Sequence, residues 1–204
     1  IPWRWDPETG ERSRLPVTGD GELRVRMDPV ESILIVMEDR RDEPVFKPEI
    51  PDENRLKELS LHWEMEFIPV EGDSFVLKSG ELISFSNSED PRVKAFAGEV
   101  HYNAEFEVDS TGWRFLDLGT EKQITRVFLN GKELGTRWYG RHLYMLEEGD
   151  IEDVNELEIR YTTTLANYAR SLKDHPVAMR WIDPEQPEPM GLKGSVRLLE
   201  AKTE

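Results

Sequence analysis

Residues 137–142 combine flat aromatic rings with forked hydrogen-bond donors. The stretch contains Arg137, Trp138, Tyr139, Arg141 and His142. Aromatic rings cover the apolar faces of sugars, and polar side chains fix their hydroxyl groups. The residue types therefore predict a carbohydrate contact. The alternative is that Trp138 packs at the rim of a β-structure, with the arginine stems lying over it.

A second candidate group follows a predicted strand that ends near Thr164. It contains Asn167 and Arg170, with Tyr168 between them. Polar loops at strand ends often carry ligand contacts, although Asn167 is equally suited to capping its own turn. Trp181 lies farther along and is a candidate for a second aromatic wall, the alternative being ordinary packing.

We expect no metal centre and no catalytic residues. The four histidines lack the spacing of a zinc site, and no pair of carboxylates stands out as the acid and base of a glycosidase. The acidic stretches 147–153 and 183–188 have oxygen ligands that suit calcium. Neither has the regular spacing of a calcium loop, so a solvated acidic face is the expected reading and a structural calcium ion the alternative.

Charge and composition exclude several classes of protein. The chain has 204 residues, with 26 basic and 42 acidic side chains and a net charge of -16. Nucleic acid and anionic membranes require a cationic surface, so we expect neither as a partner. There is no cysteine, and no apolar run approaches the ~20 residues of a membrane helix. The absence of an initiator Met favours a mature protein or a piece of a longer one.

Alternation of apolar and polar residues predicts many short strands. It is clearest over residues 99–108 and recurs at 23–27, 63–67 and 157–161. Residues 113–118 and 196–199 are also predicted strands. The continuous apolar run 33–37 predicts a strand that is buried on both faces.

One hairpin is defined by its turn. Residues 125–129 and 132–136 are predicted strands that flank Asn130 and Gly131. Asn-Gly tolerates the two positive φ angles of a type I′ turn, whose twist matches that of paired strands.

Helical patterns are weak. Residues 51–61 and 165–172 are each compatible with one or two turns. Many strands with little helix predict an all-β fold, a sandwich or a barrel. Charged and proline-rich residues near position 50 predict a boundary between N-terminal strands at 1–50 and a main domain at 51–204.

An ordered set of motifs resembles the galactose-binding-like (sugar-binding) β-sandwich of family 2-type glycoside hydrolases. In chain order these are 96–106 (FAGEVHYNAEF), 116–119 (LDLG), 127–135 (VFLNGKELG), 155–159 (NELEI) and 191–198 (GLKGSVRL). Residues 5–10 (WDPETG) and 28–32 (DPVES) resemble the stretch before the C-terminal sandwich of family 106 α-L-rhamnosidases.

The resemblance implies a jelly-roll β-sandwich with a short N-terminal β appendage. It further implies a non-catalytic accessory domain of a larger glycoside hydrolase that acts on plant-type polysaccharide. In that family the catalytic acid and base lie in an upstream barrel domain, which would be the partner in the same polypeptide. A periplasmic or extracellular location follows from the resemblance alone. The alternatives are an autonomous carbohydrate-binding module and a complete small β-sandwich hydrolase or lyase.

Overall fold

The computed structural model describes residues 1–6, 10–25, 27, 31–39, 49–109, 112–120, 122–180 and 188–202. The chain divides into two compact units, Ile1–Ile50 and Pro51–Glu204. None of the helices among the described residues is long and apolar enough to cross a membrane.

The first unit is a three-stranded antiparallel sheet. Its strands are β1 (Pro2–Trp5), β2 (Arg12–Arg14) and β3 (Leu34–Met37), with β1 in the centre. The apolar run 33–37 does form a strand, but the prediction that both of its faces are buried is wrong. β3 is an edge strand, and the side chains of Leu34 and Met37 are 46% and 71% exposed. An apolar run of this length does not show whether another layer covers it.

Residues 23–27 do not form the predicted strand within the described part of the first unit. An isolated bridge pairs Val17 with Leu23, and Arg26 lies outside the described residues.

The second unit consists of two antiparallel sheets. The six-stranded sheet has the order β10-β9-β12-β7-β5-β6, and the four-stranded sheet has the order β11-β8-β13-β4. The strands are β4 (Pro51–Glu58), β5 (Trp63–Pro69), β6 (Phe75–Ser79), β7 (Gly98–Glu107), β8 (Trp113–Asp117), β9 (Ile124–Leu129), β10 (Lys132–Arg137), β11 (Leu143–Met145), β12 (Val154–Thr162) and β13 (Arg197–Ala201). Two short helices, α1 (Pro91–Lys94) and α2 (Ala166–Ser171), connect strands.

One hydrophobic core joins the two sheets. Met65, Tyr102 and Ile159 enter it from the six-stranded sheet, and Leu116 and Leu198 enter it from the four-stranded sheet. The outward residues of β7 are polar, as the alternation predicts for a sheet with one wet face. The predicted all-β sandwich is confirmed.

The Asn130-Gly131 hairpin is also confirmed. The two residues have φ angles of 51° and 77°, and β9 pairs with β10 on either side. The weak helical pattern at 165–172 forms α2 as predicted. The prediction of helical turns at 51–61 is wrong, because the first eight of these residues form β4, which pairs with β13.

Candidate functional site

The aromatic and basic residues at 137–142 form the connection between β10 and β11. Trp138 is 59% exposed, and its ring lies 4.8 Å from that of Tyr139 at an angle of 73°. Arg137 ends β10 and donates a hydrogen bond from Nε to the carbonyl oxygen of Leu143 at 3.3 Å. Exposed Trp138 and half-buried Tyr139 are therefore held where β10 passes into β11.

Arg141 belongs to an ionic network on the four-stranded sheet. Its Nη2 donates to Oδ2 of Asp117 at 2.7 Å, and its Nη1 donates to Glu53 at 2.5 Å. Arg197 donates to the same Asp117 oxygen, and the backbone nitrogen of Gly119 donates to Oδ1 at 3.1 Å. Burial raises the pKa of Asp117, but the Arg141 hydrogen bond, the Gly119 amide and both guanidinium charges outweigh it, so this pKa lies below its usual value. Asp117 is a buried anion held by two cations.

His142 is fully buried. Its Nδ1 lies 2.6 Å from Oγ1 of Thr125, which is also 2.6 Å from the hydroxyl of Tyr144. The Tyr144 hydroxyl donates to the carbonyl oxygen of Thr125 at 2.9 Å. Burial and the nearby charge of Arg137 lower the pKa of His142 to about 4, against the opposite effect of Asp117. The imidazole is therefore neutral at pH 7 and joins β9 to the residue that precedes β11.

Asn167 is almost fully buried in α2. Its Oδ1 accepts hydrogen bonds from the backbone nitrogen of Glu188 at 2.9 Å and from Nη1 of Arg170 at 3.0 Å. Its Nδ2 donates to the carbonyl oxygen of Glu188 at 2.9 Å. The side chain holds the returning chain at Glu188 rather than capping α2. Trp181 lies outside the described residues.

The two candidate groups leave the same end of the six-stranded sheet. Arg137 pairs with Thr125, and Thr125 pairs with Tyr161 near the end of β12. Because β9 lies between β10 and β12, the starts of the two connections are about 10 Å apart. The geometry leaves the Trp138–Tyr139 pair accessible, whereas polar atoms of Arg141, His142 and Asn167 are engaged within the protein. Carbohydrate binding by this set stays a prediction.

Sequence reasoning did not single out Asp117, Thr125 or Tyr144. Asp117 did carry a signal, since it is a charged residue between two leucines in a strand motif. Such a residue is buried only with a partner.

The ammonium group of Lys132 is paired with carboxylates of the acidic stretch 147–153. Its Nζ lies 2.6 Å from Glu147 and 2.7 Å from Asp150. Asp150 also accepts a hydrogen bond from the backbone nitrogen of Glu147 at 2.9 Å. Among the described residues no three His, Asp or Glu side chains are grouped to hold a metal ion. The second stretch, 183–188, lies outside the described residues except for Glu188.

Comparisons with known proteins give two informative similarities. The structure of a rhamnosidase from Novosphingobium sp. PP1Y matches 98% of this chain with a TM-score of 0.67 and 25% sequence identity, and the match covers 20% of the rhamnosidase chain. A putative beta-glucuronidase from Formosa agariphila is 30% identical over 110 residues, which are 52% of this chain and 10% of that protein. No protein-family model matches the sequence.

The fold and these similarities define the class of the chain. It is a β-sandwich of the kind present within glycoside hydrolases, and the predicted resemblance is confirmed. The chain spans about a fifth of the rhamnosidase and about a tenth of the glucuronidase-like protein.

Proposed function

We propose that the chain is a non-catalytic accessory sandwich of a larger glycoside hydrolase of the α-L-rhamnosidase type, which acts on plant-type polysaccharide. The observation that carries the proposal is the match of 98% of the chain to one fifth of a rhamnosidase. A periplasmic or extracellular location belongs to the same proposal and rests on the resemblance alone.

The ionisation of the carboxyl groups supports a non-catalytic role. Glycoside hydrolysis needs one carboxylic acid with a raised pKa beside a second carboxylate. The described carboxyl groups whose pKa is displaced are Asp90, Asp117 and Glu133, and all three are displaced downward. Each is bound to arginine, so these groups stabilise the fold and do not store a proton.

The edge strand of the first unit supports a partner domain. β3 exposes Leu34, Ile35 and Met37. An apolar edge strand is a site for pairing or coverage by another segment. In this proposal the catalytic domain of the same polypeptide covers it.

Hydrolysis assays test the role directly. The purified 204-residue chain is assayed with an aryl α-L-rhamnoside, beside the complete parent protein and a parent that lacks these residues. We expect hydrolysis by the complete parent, none by the isolated chain, and lower activity or thermal stability after the deletion. Hydrolysis by the isolated chain would contradict the non-catalytic role. A parent without glycosidase activity would contradict the rhamnosidase assignment.

Exposed Trp138, beside half-buried Tyr139, favours a second candidate, an autonomous carbohydrate-binding module. Titration calorimetry with rhamnose and pectic oligosaccharides tests this site. Binding that is lost in Trp138→Ala but kept in Trp113→Phe, which changes a partly buried aromatic residue elsewhere, would support it. If no sugar binds, the accessory role is the one that remains.

A further inference from the structure

A groove crosses the outer face of the six-stranded sheet. It has a volume of about 820 Å³. Its floor follows a row of register partners on five of the six strands: Phe128, Glu158, Asn103, Glu64 and Lys78. Five strands at ~4.8 Å spacing make this row about 19 Å long. Gly80 and Gly131 line the groove without side chains that would fill it.

Phe128 is bordered on one side by arginines. The guanidinium carbons of Arg126 and Arg160 lie 5.2 Å and 4.7 Å from the centre of its ring. Both arginines belong to the neighbouring row of the sheet, where they pair with each other in register. Neither lines the groove, whereas Phe128 does. The side of Phe128 away from the arginines therefore faces the groove.

Most of the floor charges are already neutralised. Beside the floor, Glu133 on β10 accepts two hydrogen bonds from Arg126, at 2.8 Å and 2.5 Å. Arg160 donates to Glu158 at 2.6 Å, and Lys78 lies 2.6 Å from Glu64. The row is thus a lining of mixed charge beside one aromatic ring.

Two glutamates in the groove are not neutralised. Glu105 on β7 and Glu156 on β12 are direct register partners, and both side chains are exposed. Neither carboxylate has a hydrogen bond or ion pair with any described residue. Like charges that face each other across strands destabilise a sheet. The like-charged register partners Arg126 and Arg160 each have a carboxylate partner, whereas this glutamate pair has no counter-charge among the described residues. Unfavourable local arrangements of this kind are expected at functional sites.

We propose that this groove binds a neutral oligosaccharide across the strands. Sugar hydroxyl groups donate to Glu105 and Glu156 in charge-assisted hydrogen bonds, the Asn103 amide donates to and accepts from others, and an apolar sugar face packs on Phe128. The two free carboxylates repel uronic acids. Phe128 and the Asn103 amide suit an uncharged sugar surface, and a cationic glycan is the competing occupant that the test must separate.

The test is calorimetry with the 204-residue chain at pH 7. The probes are cellotetraose, xylotetraose and mannotetraose, with tetragalacturonate and fully deacetylated chitotetraose as charged comparisons. We expect at least one neutral tetraose to bind with a dissociation constant at or below the millimolar range. Phe128→Ala weakens it at least tenfold, and Glu105→Gln, which keeps the side-chain shape, weakens it about fivefold.

Two matched controls define the site. Glu107→Gln changes an outward glutamate on the same strand outside the groove, and Trp113→Phe changes a partly buried aromatic residue on β8 of the other sheet; neither changes the affinity. Circular dichroism spectra and melting temperatures show that each variant is folded. If Phe128→Ala does not fold, the affinities of Glu105→Gln and Glu107→Gln are compared instead. A loss of affinity in Glu105→Gln alone supports the groove as the binding site.

Three results overturn the proposal: no neutral tetraose binds, the groove variants bind as well as the unaltered chain, or a charged tetramer binds more tightly than every neutral one. The proposal does not rest on the accessory role. Failure of glycan binding leaves the hydrolysis assays unaffected, and an inactive parent protein leaves the groove affinity unaffected.

Discussion

Nδ2 of Asn130 donates a hydrogen bond to Oδ1 of Asn155 at 3.0 Å. The two residues belong to separate motifs, the β9–β10 turn and the start of β12. Asn155 Oδ1 also accepts from the backbone nitrogen of Glu152 at 2.8 Å, and its Nδ2 donates to the Glu152 carbonyl oxygen at 2.6 Å. Oδ1 of Asn130 accepts from the backbone nitrogen of Glu156 at 2.8 Å. The contact thus fixes the tight turn to the strand beside it.

Asn155→Ala should destabilise the sandwich by about 2–4 kcal/mol, because a buried amide leaves several hydrogen-bond partners unsatisfied. Urea unfolding measures the loss. Asn103→Ala, at an exposed asparagine of the same sheet, should change stability by no more than ~0.5 kcal/mol. Equal effects in the two variants would contradict the role of the Asn130–Asn155 contact.

Asp117→Ala should cost about 3–5 kcal/mol, since it leaves Arg141 and Arg197 without their shared counter-charge. Glu53→Gln removes the exposed partner of Arg141 and should cost under ~1 kcal/mol. Chemical denaturation of both variants at pH 7 checks the contrast. If Asp117→Ala were as mild as Glu53→Gln, the network would not depend on its buried anion.

Stability should fall in acid partly through His142. The folded pKa of this residue is about 4, whereas an unfolded histidine titrates near pH 6.5. The unfolded chain therefore binds the additional proton, so the contribution of neutral His142 is complete above about pH 6.5 and is lost as the pH falls toward 4. The loss is ~3 kcal/mol at pH 4.

Comparison with His142→Asn isolates this contribution from that of the carboxylates. Urea midpoints measured from pH 7 to pH 4 should fall more steeply for the unaltered chain than for the variant. His175→Asn, at an exposed histidine, should leave the steep dependence in place. Parallel curves for the unaltered chain and His142→Asn would exclude the predicted titration.

Glu156→Lys should raise stability while it weakens glycan binding. The lysine would face Glu105 across the strands and replace a like-charge pair by an opposite one, worth about 0.2–1 kcal/mol. It also removes a hydroxyl acceptor from the groove. Thermal unfolding and calorimetry on one preparation measure both effects. Glu107→Lys, opposite Val154, should change neither the stability nor the glycan affinity. A Glu156→Lys chain that is less stable than the unaltered chain would contradict the predicted repulsion between Glu105 and Glu156.

Sequence patterns predicted the elements whose conformation depends on neighbouring residues in the chain. The Asn130-Gly131 turn and the alternation along β7 specify their own conformations, and both were read correctly. The strand β4 was missed because its exposed, charged residues have no period of two, and only pairing with β13 makes it extended. The burial of β3 was misjudged because an apolar run does not reveal which layer covers it.

The candidate site was predictable as residue types but not as contacts. The basic character of Arg141 was evident, yet its partner Asp117 lies 24 residues earlier in the chain, and sequence spacing alone does not pair them. The groove depends on the register of five strands. A shift of one residue would turn Glu105 and Glu156 toward the core, so no inspection of single strands would reveal their pairing.

The position of β13 governs when the protein can fold during its synthesis. The last strand of the chain lies between β4 and β8 rather than at an edge. A nascent chain that lacks residues 197–201 therefore holds three strands of the four-stranded sheet, the pair β11–β8 and the separate β4, without the strand that joins β8 to β4. The sandwich can close only after translation has passed this segment, and prematurely terminated products should be substrates for chaperones and proteases.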